Sequence, residues 1–198
     1  ASWHDGVPVR CTQNATAGEE WRRGWHPEHF TKIAQPSSVL VVGGGPAGLE
    51  AALIAARQGL EVTIAERDDD WGGRVLKESQ LPGMASWRRV RDYRVWALSQ
   101  MGNVSMFTNS DLDCDAIQSF GADHIALATG AHWTRHLYSA LEIPIAPLNK
   151  PQVFTPDEVF AGNVTGDRLL VFDFDHYYLG GVIAEHLAIS GKQVTYAT

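Results

Sequence analysis

Cysteine is scarce in this sequence, with two in 198 residues. Two cannot form the disulfide framework that braces small secreted domains, and they suit a reducing cytoplasm. Positive charge is short as well. Sixteen Lys and Arg stand against 23 Asp and Glu, a net charge of −7, which argues against a nucleic-acid surface. No apolar run approaches the ~18 residues of a membrane span, and no signal-peptide pattern opens the chain. A catalytic constellation is also missing. The eight His are scattered, and no metal-binding His cluster, triad or paired carboxylates stand out, so no catalytic residue is assigned. His132, His136 and His176 read as surface or core residues, and Cys114 as structural. The chain starts at Ala1 rather than Met and stops at Thr198 just after a predicted strand, so it is expected to be a piece of something longer.

Glycine is plentiful, and its placement is informative. Val39–Val42 is a short apolar run of the kind buried on both faces of a parallel sheet. Gly43-Gly44-Gly45-Pro46-Ala47-Gly48 follows and fits G-x-G-x-x-G. Gly43 permits a tight turn out of the strand, Gly45 lets backbone approach a pyrophosphate, and Gly48 lets the next helix pack close to the sheet. That helix, predicted over Pro46–Gln58, offers its N–H groups and positive dipole end to a phosphate. Gly59 is a natural C-cap. Glu61–Ala65 reads as the second strand, and Glu66 ends it close to ~20 residues past the last glycine, where an acid binds a ribose hydroxyl. An acid there favours a free 2′-hydroxyl over a 2′-phosphate. The unit is a βαβ cradle for an adenine dinucleotide. It sets the fold class as α/β: a Rossmann-like FAD/NAD(P)-binding fold in three layers around a parallel sheet.

Beyond Glu66, the run Asp68-Asp69-Asp70 reads as a solvated loop. Gly72-Gly73 lets backbone approach a ligand, and Arg74 could neutralise pyrophosphate charge. A helix is predicted over 86–100, with Trp87, Val90, Val95 and Leu98 as its buried stripe. Its Arg residues at 88, 89, 91 and 94 favour a solvated face over an anion site. Strands follow at Val104–Phe107 and His124–Thr129, the latter buried and ending in Ala128-Thr129-Gly130, with a short helix over Asp115–Phe120 between them. Thr155 and Pro156 read as the N-cap and first residue of another helix. A second βαβ pattern then begins, with strands over Leu169–Phe172 and Gln193–Ala197 and a helix over 179–190. Counted from the strand end, Asp173, Asp175 and Tyr178 stand where the three glycines stood. Two carboxylates would face an incoming pyrophosphate and Tyr178 would hold the helix off the sheet, so this start of a second Rossmann-like unit is expected to be fold without nucleotide. The chain is accordingly divided into residues 1–35, an irregular head with Trp3, Trp21 and Trp25; residues 36–150, the nucleotide domain; and residues 151–198, a connector with the first βαβ of a degenerate second domain.

The head narrows the family. The stretch from Cys11 to Glu28, CTQNATAGEEWRRGWHPE, resembles the segment joining barrel to nucleotide domain in trimethylamine dehydrogenase-like iron–sulfur flavoproteins, among them the dimethylamine and histamine dehydrogenases. Leu81-Pro82-Gly83, Arg91-Asp92-Tyr93, Gly121-Ala122-Asp123 and Thr155-Pro156-Asp157-Glu158 look like that group too. The resemblance implies a larger enzyme with an upstream FMN barrel and a [4Fe–4S] cluster, with Cys11 as one of the four cluster ligands. It implies ADP or FAD in the first nucleotide domain, at Gly43, Gly45, Pro46, Ala47, Gly48, Glu66, Arg67, Gly73 and Arg74, with Leu112 near the adenine and Thr129 and Gly130 at the strand end. The implied activity is oxidation of a small (methyl)amine, with electrons passed to an external acceptor such as an electron-transferring flavoprotein, in a cytoplasmic homodimer. Glu66 and Arg74 depart from the family's usual residues, and Arg74 would strengthen phosphate contacts. Two other readings stay open. One is the FAD domain of an NADPH-dependent 2,4-dienoyl-CoA reductase-like enzyme, which needs glycines in the second unit. The other is a non-catalytic docking module.

Overall fold

Apolar β-branched strands alternate with Ala- and Leu-rich helices, and this alternation lays strands side by side in parallel with helices packed on them. The computed structural model describes residues 11, 13, 14, 17, 18, 30–138, 144–147, 150–173 and 176–198, with backbone alone for 136–138 and 144–147. Trp3, Trp21, Trp25 and Asp175 lie outside the described residues. Two compact units divide the chain: Ala1–Ser79 with Ser86–Gly130, and Gln80–Ala85 with Ala131–Thr198.

The first unit is built on a four-stranded parallel sheet of β1 (Ser38–Val42), β2 (Glu61–Ala65), β3 (Val104–Phe107) and β4 (His124–Leu127), in the order β3-β2-β1-β4. Helix α1 (Pro46–Gln58) links β1 to β2, and its boundaries follow from Pro46 at the first helical position and left-handed Gly59 at the end. Val39, Val41, Val62 and Ile64 share one face of the sheet. They form the core with Leu49, Ala52, Leu53 and Ala56 of α1, with Trp71, and with Ala97 and Leu98 of α3 (Arg89–Ser99). Leu49 and Leu53 are at most 1% exposed, and each contributes about 1.5–3 kcal/mol by leaving water. Leu40 and Val42, which point to the other face, are buried too, as a central parallel strand requires, whereas β4, expected to be buried, ends at Leu127 as an edge strand with His124, Ile125 and Leu127 exposed. Two short helices complete the unit, α2 (Arg74–Glu78) and α4 (Cys114–Ser119). Cys114 opens α4 as an exposed thiol, which corrects its assignment to a structural role.

The helix expected over 86–100 divides into a 3-10 turn, Ala85–Arg88, and α3. The buried face of α3 is Val90, Arg94, Ala97 and Leu98. Arg91 and Arg94 therefore do not belong to a solvated face: Arg94 pairs with Glu50 of α1 at 2.6 Å and donates to the Val90 carbonyl at 2.8 Å. At the opposite sheet end from the glycine turn, Asp123 clasps β1 to β4. Its Oδ2 accepts from the Ser38 N–H and hydroxyl, both at 2.8 Å.

In the second unit, β5 (His136–Tyr138) and β6 (Pro144–Pro147) form an antiparallel pair. Helix α5 (Pro156–Phe160) starts on a Thr155–Glu158 capping box. Strands β7 (Arg168–Phe172) and β8 (Gln193–Ala197) pair in parallel, joined by α6 (Tyr178–Ile189).

Candidate nucleotide-binding site

The turn between β1 and α1 is shaped by what its glycines leave out. Gly43 has φ +106°, and a Cβ there would sit 2.3 Å from the Ala128 carbonyl oxygen. The turn therefore leaves β1 against the end of β4 and the Thr129 N–H, with Gly130 next in the chain. A Cβ on Gly48 would lie 1.8 Å from the Gly43 carbonyl oxygen, so the helix start can close on the turn only with glycine. Gly45 differs from both. It is the N-cap of α1, no side chain caps it, and a Cβ there would meet nothing within 4 Å. Pro46 and Ala47 beside it are exposed. The unpaired N–H groups of a helix's first turn thus face open space at Gly45, and the peptide dipoles favour an anion there. A pyrophosphate fits this arrangement.

Glu66 stands at the end of β2 and is 6% exposed. Its Oε2 accepts from the Gly44 N–H at 2.6 Å and its Oε1 from the Asp68 N–H at 2.9 Å. The acid expected at a ribose thus braces the glycine turn. Arg67 is exposed and pairs weakly with Asp68 at 3.7 Å. The segment after β3 is pinned to the same place, with the Ser110 N–H donating to the Glu66 carbonyl at 2.8 Å and the Asn109 N–H to the Asp68 carbonyl at 2.9 Å. Leu112, half-buried, lies two residues farther on. Gly73 abuts Gly45, since its Cβ would be 3.5 Å from the Gly45 Cα, and Arg74 follows at the first turn of α2.

Three residues here had no site role in the sequence reading, which put Asp70 in a solvated loop and Arg91 on a solvated face. The Trp71 ring covers Gly44, whose Cβ would lie 2.5 Å from it. Arg91 and Asp70 hold the turn that carries Trp71. A Trp directly after three acids is the one local signal in the sequence. A separate cavity of about 530 Å³, lined by Phe30, Lys32, Arg57, Tyr93, Met101 and Asn103 among others, lies at the C-terminal end of α1. That is the opposite end of the helix from Gly45.

Residues 38–101 match the family model described as FAD dependent oxidoreductase. Dimethylamine dehydrogenase from Hyphomicrobium sp. (strain x) is 38% identical over 98% of this chain. The solved 6-hydroxypseudooxynicotine amine oxidase of Pseudomonas geniculata N1 superposes with a TM-score of 0.89 at 44% identity, over 95% of this chain. Histamine dehydrogenase from Rhizobium sp. 4-9 gives 0.87 at 42% identity, also over 95%. The chain is a relative of the trimethylamine dehydrogenase-like flavoproteins. It spans 27% of dimethylamine dehydrogenase and 29% and 30% of the two solved chains. Like those flavoproteins it carries a Rossmann-like FAD-binding fold, and the glycine turn, Glu66 and the Gly72-Gly73 turn lie at one end of its sheet.

Within this flavoprotein-like chain the second βαβ departs from the first in a way that strand-end counting missed. Three residues, Gly43 to Gly45, separate β1 from α1, whereas five, 173–177, separate β7 from α6. Measured from the helix, Gly180 and not Tyr178 takes the place of Gly48. Tyr178 therefore does not hold the helix off the sheet. A Cβ on Gly180 would lie 2.6–2.8 Å from the Asp173 side chain, so the carboxylate fills the space that glycine leaves. Asp173 is 5% exposed and accepts from the His176 N–H at 3.0 Å and the Tyr196 hydroxyl at 2.6 Å. That hydrogen bond raises the Tyr196 pKa above the usual tyrosine range, and desolvation adds to it.

Proposed function

We propose that this chain is the adenine-nucleotide-binding part of an FMN- and [4Fe–4S]-containing amine dehydrogenase, which oxidises a small (methyl)amine and passes the electrons to an external acceptor such as an electron-transferring flavoprotein. The observation that carries the nucleotide reading is the open space at Gly45 between two close glycine contacts, with Glu66 at ribose distance along the chain. ADP or the ADP half of FAD would lie across Gly43, Gly45, Pro46, Ala47 and Gly48, with Glu66 at the ribose and Gly73 and Arg74 beside the phosphates. Arg67, Leu112, Thr129 and Gly130 would form the rim of this site. The domain limits 36–150 and 151–198 belong to the same proposal.

The choice of amine over pyridine nucleotide as electron source draws on Asp173. Its buried carboxylate occupies the turn of the second unit, where a dinucleotide phosphate would be repelled and the space is already filled. Among the described residues no group of three His, Cys, Asp or Glu is placed to hold a metal ion, so these residues do not by themselves form a cluster site. Cys11, an exposed free thiol, would supply one thiolate of four. The cluster would carry single electrons, and the FMN and amine pockets would lie outside these residues. No helix among the described residues is long and apolar enough to cross a membrane; a cytoplasmic homodimer completes the proposal.

Calorimetry with ADP and FAD tests the nucleotide claim, and absence of binding by either overturns it. Anaerobic mixing of the full-length protein with NADPH tests the electron source. Rapid flavin bleaching would favour the dienoyl-CoA reductase-like reading instead.

A further inference from the structure

We propose that Arg91 is the positioning residue of the nucleotide cradle: reaching across from α3, it holds the Asp70–Gly73 turn as a second wall against Gly44 and Gly45. The inference rests on the adenine-nucleotide reading of that site. The turn has little local reason to keep one shape. Gly72 and Gly73 both have positive φ, +120° and +52°, and α2 beyond them is only five residues long, too short to hold itself together. Its shape comes from outside, through three contacts.

The Gly72 N–H donates to the Gly44 carbonyl at 2.8 Å. The Trp71 ring lies on Gly44. The third contact is Arg91, whose side chain is 18% exposed. Its Nε donates to the Trp71 carbonyl at 3.0 Å, and its Nη2 meets the Asp70 carboxylate. Its Cγ lies 2.9 Å from where a Gly72 Cβ would stand, so Gly72 is the residue that lets the arginine stem pass. A planar fork that binds a backbone carbonyl and a carboxylate together is a property of guanidinium, not of an ammonium. The product of these contacts is the seating of Gly73 beside Gly45. A pyrophosphate on Gly45 would meet Gly73 as its facing wall, although Arg91 itself would not touch it.

Arg94 is the built-in control. It stands on the same helix, is more deeply buried, and bonds Glu50 and the Val90 carbonyl rather than the turn. The test is ADP affinity by calorimetry alongside the thermal midpoint, in full-length protein stripped of nucleotide. Arg91→Leu and Arg91→Lys are each expected to weaken ADP binding about tenfold or more. Arg94→Met is expected to lower the midpoint while leaving affinity within about twofold of wild type, measured well below its transition. ADP affinity of the Arg91 variants within about twofold of wild type overturns the proposal. So does an equal loss of affinity in the Arg94 variant, which would mark both arginines as simple braces of the fold. If Arg91→Leu does not fold, Arg91→Lys keeps the charge and carries the test. Wild-type protein that binds neither ADP nor FAD removes the nucleotide reading, and this inference with it.

Discussion

Each glycine in the first turn meets a different physical demand, and substitution separates them. Alanine at Gly48 places its Cβ against the Gly43 carbonyl oxygen at 1.8 Å, a backbone clash that no side chain can relieve. Gly48→Ala is expected to cost about 2 kcal/mol or more of stability, read as a lower urea midpoint. Gly45 has φ −72°, which any residue can adopt, and open space around it. Gly45→Ala should keep stability within about 0.5 kcal/mol yet weaken ADP binding, because the added methyl stands where phosphate would approach. Unchanged ADP affinity in that variant would remove Gly45 from the site. The Tyr196 hydroxyl gives a pH signature of its own. Its pKa is raised by the bond to Asp173, so the stability from that contact is fully present below the unfolded tyrosine value of about 10 and is lost as pH rises through the folded value. Tyr196→Phe should lower stability at neutral pH and flatten this alkaline loss, which urea midpoints across the range would reveal.

At the level of elements, Asp123 ties the first residue of β1 to the start of β4. Its pKa is lowered mainly by the Ser38 N–H, then by the Ser38 and Ser37 hydroxyls. The clasp therefore adds stability above the pKa of an unfolded aspartate, about 4, and loses it as pH falls through the lower folded value. Asp123→Asn should reduce stability at neutral pH, and the gap to wild type should close during acid unfolding. A constant gap at every pH would show that the carboxylate charge is irrelevant. These elements also show what was legible in the sequence. The limits of α1, β2, β3 and β8 follow from Pro46, Gly59 and the period of apolar residues, because those signals are local. The inward turn of Arg91 and Arg94 was not legible. It depends on Glu50, whose approach is set by how α3 lies on α1, and on Asp70 of the turn after β2. The alignment of the second turn failed for a related reason. Counting from the strand end assumes equal turn lengths, and the two extra residues before α6 shift the close-packing glycine to Gly180.

For the whole molecule, the expected electron source is the widest claim. Anaerobic NADPH should leave the flavin of the full-length protein oxidised, and a small methylated amine should reduce it. The opposite pair of results would transfer the chain to the reductase reading. The geometry at Asp173 also bears on how readily this sequence could be changed into one that takes pyridine nucleotide. Replacing Asp173 by glycine opens a hole under Gly180 and strips the Tyr196 hydroxyl and the His176 N–H of an acceptor. That first step is destabilising before any phosphate can be bound. Shortening the turn by two residues would be needed as well, and point substitution cannot do that. The internal carboxylate thus acts as a ratchet: an engineer who wants an NADPH-driven variant should transplant the entire β7–α6 turn rather than restore its glycines singly.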